Sequence, residues 1–151
     1  VWKEGAELNE ADAAEALRTA YAYWDNDSFW LNPVVKFFDP GVERARVELE
    51  DGGRGLLVTY TSGGVTPGDA YLWIPGEDGM PAAWRMWVQI IPVGGIETSW
   101  EGWVELNTGA KIATQHEGWG QLMTFITDLE GAEDLDGIGV DPDLFAPLFQ
   151  D

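Results

Sequence analysis

Cysteine is absent from this 151-residue chain and histidine occurs once. Zinc fingers, iron–sulfur clusters, disulfide scaffolds and thiol nucleophiles all fail here for want of ligands. Basic residues are equally scarce, with 8 Lys and Arg against 27 Asp and Glu and a formal net charge of −19. A nucleic-acid partner needs a basic stripe to meet phosphate, which the scattered cations do not announce. Gly, Pro or a charge interrupts the apolar stretches every few residues. Nothing approaches the roughly 18 uninterrupted apolar residues of a membrane-spanning helix. No nucleophile motif and no metal-ligand spacing occurs, and the 63–69 loop lacks the Lys and helix of a phosphate cradle. No catalytic residue and no cofactor is therefore assigned.

What the chain does have is acid, glycine and tryptophan. A compact chain of 16.7 kDa exposes roughly 7,600 Å², so an excess of −19 opposes compaction unless salt screens it. Such a surface suits a saline medium or an acidic secreted protein. Residues 1–8 look like a hairpin already under way at Val1, so an upstream portion, a cleaved leader or a trimmed segment, is expected.

Asn9 is a good N-cap with Asp12 three residues on, and Leu17, Tyr21 and Trp24 recur at helical spacing with Ala13, Ala14 and Ala20. The pattern predicts a helix over 10–24 that stops in Asp25-Asn26-Asp27. The aromatic segment 29–38, broken by Pro33, reads as irregular or as a short helix.

From Val42 the period changes to two. A two-residue turn at Gly52-Gly53 sets Leu49 opposite Leu56, Val47 opposite Val58 and Ala45 opposite Tyr60, with Arg44, Arg46, Glu48 and Glu50 on the other face. A three-residue loop within 92–95 sets Val88 opposite Trp100, Ile90 opposite Thr98 and Trp84 opposite Val104, leaving Arg85 across from Trp103. A loop at Asn107-Thr108-Gly109 sets Val104 beside Ile112 and Glu105 beside Lys111, and brings His116 opposite Trp100. Strands are thus expected at 44–50, 55–61, 70–74, 83–91, 96–106, 111–117 and 122–127. Residues 1–127 read as one domain, and 128–151 as an acidic tail with an apolar end. The fold class is α+β, a curved antiparallel meander of about six to seven strands packed on one main N-terminal helix.

Nine Trp on both faces of one sheet demand two covers, because a half-solvated sheet should carry them on one side only. Trp24, Trp30, Tyr60, Trp84, Trp100 and His116 are the candidates for an apolar ligand in an aromatic concavity. Trp87 and Trp103, with Phe145, Leu148 and Phe149 of the tail, are the candidates for contacts with a protein partner. Glu97 and Glu101 share a strand face, but such spacing is expected by composition alone. The inward set of Val47, Leu49, Leu56, Val58, Tyr60, Trp84, Met86, Val88, Ile90, Trp100, Val104 and Ile112 is larger than the helix stripe can cover. Either segment 29–38 completes the cover or a space remains.

The runs Asn26-Asp27-Ser28-Phe29-Trp30-Leu31, Phe37-Phe38-Asp39-Pro40-Gly41, Gly63-Gly64-Val65-Thr66-Pro67-Gly68-Asp69-Ala70-Tyr71-Leu72-Trp73, Trp84-Arg85-Met86-Trp87 and Trp100-Glu101-Gly102-Trp103 resemble a group of uncharacterised bacterial proteins, many described as lipoproteins. Their fold looks like the LolA/LolB-like half-barrel of periplasmic lipoprotein carriers. The resemblance covers roughly residues 8–117 and implies helices held against a curved sheet around an apolar cavity. Added to the residue reading, it points to a non-enzymatic, extracytoplasmic, periplasmic or secreted module that binds a lipid or acyl chain. The alternative is an accessory subunit of a larger assembly.

Overall fold

A computed structural model describes residues 1–3, 5–141 and 143. The expected α+β class is what forms: one main helix set against a large antiparallel sheet. The chain opens on a small hairpin, Trp2–Lys3 (β1) paired with Ala6–Glu7 (β2). The helix α1 follows at Glu10–Leu31. Its cap is the one anticipated, for Asn9 Oδ1 accepts the Asp12 backbone N–H at 3.0 Å and the Asn9 amide donates to the Asp12 carboxylate.

The helix does not stop at Asp25-Asn26-Asp27. It runs about two turns beyond Trp24, to Leu31, because Asp25 is not a solvated turn former: it is buried under the 64–65 loop, and the Ser28 hydroxyl donates to its carbonyl. Asn32 closes α1 by donating its N–H to Ser28 O, and Pro33 prevents continuation. A single 3-10 turn, Pro33–Lys36, then leads into the sheet. The expected inward stripe is also displaced. Leu17 is 60% exposed and Trp24 56%, while the face that meets the sheet carries Asp25, Phe29 and Trp30.

Seven strands form the main sheet: Val42–Glu48 (β3), Arg54–Tyr60 (β4), Ala70–Pro75 (β5), Pro81–Trp87 (β6), Ile96–Ser99 (β7), Gln115–Gly118 (β10) and Gln121–Phe125 (β11). Their order is β11-β10-β7-β6-β5-β4-β3, an open antiparallel meander whose edges are β3 and β11. Between β7 and β10 the chain makes a separate hairpin, Val104–Glu105 (β8) with Lys111–Ile112 (β9). Among the described helices none is long and apolar enough to cross a membrane.

One of the three computed registers holds. Val104 lies opposite Ile112 and Glu105 opposite Lys111. The same register continues through the Glu101–Gln115 bridge to Thr98–Gly118, so His116 does meet Trp100, at 4.4 Å between ring centroids. The expected strand 96–106 is nevertheless broken. Gly102 adopts φ +64, where a Cβ would stand 2.6 Å from Thr114 Oγ1. This bend turns Trp103 back onto Trp100, at 6.0 Å, rather than out with Arg85 and Glu105.

The β3–β4 register is shifted by three residues. Leu49 N–H donates to Gly53 O, Gly53 N–H to the Asp51 carboxylate, and Gly52 takes φ +82, so the loop is Glu50-Asp51-Gly52. A three-residue loop with glycine in the left-handed position is a standard hairpin closure. An odd shift exchanges faces: Val42, Arg44 and Arg46 lie opposite Tyr60, Val58 and Leu56, while Val47 faces Gly55. Arg44 is held inward by donating to the Phe37 carbonyl and lying 4.5 Å from the Phe38 ring.

The β6–β7 register is shifted by six, which preserves faces. Trp84 lies opposite Thr98, Met86 opposite Ile96, and Arg85 opposite Glu97, with which it forms an ion pair at 2.8 Å. Residues 88–95 leave the ladder because buried Asp69 accepts both the Gln89 N–H at 2.9 Å and the Thr66 hydroxyl at 2.6 Å. Ile90, expected inside, is instead 76% exposed, and Val104, in its separate hairpin, 39%.

Candidate functional site

The inner face of the sheet presents Leu56, Val58 and Tyr60 from β4, Tyr71 and Trp73 from β5, Trp84 and Met86 from β6, and Ile96, Thr98 and Trp100 from β7 and its end. The second half of α1 and the 3-10 turn lay Phe29, Trp30 and Phe37 over it. Segment 29–38 therefore supplies cover that the expected helix stripe does not, with Phe37 5.4 Å from Trp73 and Trp30 5.3 Å from Trp84. The cover is partial. A cleft of about 500 Å³ remains between α1 and the sheet, walled by Phe29, Trp30, Tyr60, Tyr71, Trp84 and Met86.

The six candidates for ligand contact separate into three groups. Trp30, Tyr60 and Trp84 line this cleft. Trp100 and His116 lie behind the wall: Trp100 is 2% exposed and touches Trp73, Trp84, Trp103 and His116, and the His116 ring also meets Trp30 at 5.2 Å. Trp24 lies outside, stacked on Tyr21 and beneath the Lys36 ammonium at 4.7 Å.

Among the partner-contact candidates, Trp87 is half exposed at the end of β6, with Gly94 and Gly95 against its ring. Trp103 is turned into the aromatic cluster and donates its indole N–H to the carbonyls of Pro81 and Trp100. The two do not share one patch. Phe145, Leu148 and Phe149 fall outside the described residues.

The wall chemistry is unusual for a packed core. Tyr60 Oη, the indole nitrogens of Trp73, Trp84 and Trp100, and His116 Nε2 are all buried with no hydrogen-bond partner among the described residues. Each such group costs about 1–3 kcal/mol relative to a satisfied one. His116 donates from Nδ1 to the Ser99 carbonyl at 3.1 Å, an assignment that leaves Nε2 as an acceptor. Burial pushes its pKa down, outweighing the backbone contacts that oppose the shift, so the ring is neutral at pH 7. Burial likewise pushes the phenols of Tyr60 and Tyr71 up. Asp39 and Asp25 add to the effect on Tyr60, and Asp69 to that on Tyr71. Both remain neutral hydrogen-bonding groups.

Among the residues lining the cleft, Asp25 and Tyr71 are not singled out by the sequence pattern, and Phe29 enters it only as part of segment 29–38. The i, i+4 spacing of Asp25 and Phe29 was a usable signal, concealed by the Asp-Asn-Asp sequence that resembles a helix stop. Tyr71 would have followed from pairing β5 with β6, since it lies opposite Met86.

Comparison with known proteins finds no matching family model, no matching curated protein and no matching solved structure.

Proposed function

We propose that the protein is an extracytoplasmic binding module that takes an apolar molecule, such as a lipid or acyl chain, into the cleft between α1 and the sheet. The observation that carries this reading is a cleft of about 500 Å³ walled by aromatic rings, left open beside a core whose other rings pack in contact. That volume is within the usual range of small-molecule sites. Asp25 and Asp39 border the same space and would disfavour an anionic head there. The LolA/LolB-like resemblance agrees with this use of the fold and adds the periplasmic setting.

The test is direct binding of a neutral fluorescent acylglycerol analogue to the full chain, followed by Trp30→Ala. Saturable binding that falls at least tenfold in the variant supports the reading. A folded protein that binds no neutral apolar probe removes it. What would then stand is the accessory-subunit reading, which is favoured by the exposed apolar side chains of Trp87, Ile90 and Val93 around the 88–95 loop.

A further inference from the structure

Another cavity, among the described residues, has the opposite electrical character. It encloses about 560 Å³ where the 3-10 turn and the β8–β9 hairpin approach β3 to β6, and Phe37, Leu56, Trp73 and Trp103 form its apolar walls. Its charged lining consists of Arg46, Arg54 and Lys111. Three of the eight Lys and Arg residues in a chain of net charge −19 thus gather at one apolar pocket. Random placement on so acidic a surface would surround each cation with carboxylates. Yet among the described residues neither Arg46 nor Arg54 forms an ion pair, and Lys111 reaches only Glu105, loosely, at 3.9 Å.

The arrangement follows from the registers. Arg46 lies opposite Leu56 and Arg54 opposite Glu48, so the two arginines are diagonal neighbours on one face of the β3–β4 pair, and Glu48 shares that face without an ion pair to either among the described residues. Lys111 comes from a different element, β9, and lines the same cavity beyond the bend at Gly102. Trp73, buried at the same wall, holds its indole N–H without an acceptor among the described residues.

We infer that this pocket binds a free monocarboxylate carrying an apolar chain or ring, its carboxylate held by Arg46 and Arg54 and its apolar part lying against Trp73 and Trp103. Guanidinium is the side chain whose paired donors match a carboxylate, and two of them beside an apolar wall select for an anionic end on an apolar body. A fully charged polyanion would waste the wall. The site is distinct from the first cleft: Trp84 borders one and Trp73 the other, their rings 5.0 Å apart.

The experiment titrates the full chain with decanoate and with decanol by calorimetry at physiological ionic strength. Arg46→Gln/Arg54→Gln is compared with Lys3→Gln/Arg18→Gln, which removes the same charge elsewhere. Decanoate affinity is expected to fall at least about tenfold in the first variant, as for loss of a charged hydrogen-bonded pair. It should hold in the second, with decanol unaffected by either. The inference is overturned if the wild-type chain does not bind decanoate, or if both double variants lose it equally, which would make the effect one of bulk charge. It is also overturned if the Arg variant keeps decanoate but loses sedimentation with phosphatidylglycerol vesicles, which would reassign the basic patch to a membrane surface.

Discussion

Trp100 offers a sharp test of how the aromatic cluster is held together. Its indole is ringed by Trp73 and Trp84 at 5.0 Å each, His116 at 4.4 Å and Trp103 at 6.0 Å, and its N–H has no partner among the described residues. Truncation to Ala should cost about 3–5 kcal/mol, the range for a buried Trp. Replacement by Phe removes roughly three ring atoms, worth about 2 kcal/mol of apolar burial. It also removes an unsatisfied donor whose burial costs about 1–3 kcal/mol. The two effects nearly cancel, so Trp100→Phe should lie within about 1 kcal/mol of wild type. In urea unfolding followed by near-ultraviolet circular dichroism, with a slope of about 2 kcal/mol/M, the Ala variant should lose about 2 M in midpoint and the Phe variant less than about 0.5 M. Because Trp100 lies behind the cleft wall, the Phe variant should also retain the neutral probe. Equal losses for Phe and Ala would refute the reasoning and show that the indole N–H is satisfied in solution.

Three other outcomes are expected. His116 has a folded-state pKa below its ordinary 6.5, so its neutral form contributes stability that is complete above 6.5 and lost as pH falls below it; the stability gap between wild type and His116→Gln should narrow on acidification from pH 7, measured by chemical unfolding, and a constant gap would contradict this. With only two ion pairs, both exposed, among the described residues against a net −19, the thermal midpoint should rise markedly between low and molar NaCl, and a flat response would mean the carboxylates are locally compensated. Asp69→Ala should cost about 2–3 kcal/mol in urea unfolding, because it strands the Gln89 N–H and the Thr66 hydroxyl; a change under about 0.5 kcal/mol would show that the 88–95 loop is not held there.

The parts of this fold that were legible from sequence are those decided by neighbouring residues. Asn9 and Asp12 announce their cap, and the Asn107-Thr108-Gly109 loop sets a register that carries through to Trp100 and His116. The β3–β4 turn was also local, but Gly52-Gly53 supports two closures, and the Asp51 carboxylate bonding to Gly53 N–H selects the other one. The β6–β7 register could not have been read from its own residues, since Asp69, 20 positions away, draws Gln89 out of the ladder. For the site, the aromatic members were visible as inward positions of strands. Asp25 and Phe29 depended on a helix end that is decided by burial against the 64–65 loop, a tertiary contact without a local signature.

The contact between indoles has an optical consequence. Trp73, Trp84 and Trp100 lie 5.0 Å apart pairwise, at steep interplanar angles. Transition dipoles so close and so crossed couple, and they split into exciton bands that overlap the far-ultraviolet signal of the backbone. A spectrum of the native protein will therefore misstate its helix and strand content. Because that coupling falls with the cube of the separation, the same bands weaken steeply as the rings part, so the chain carries an intrinsic gauge of side-chain packing that needs no label.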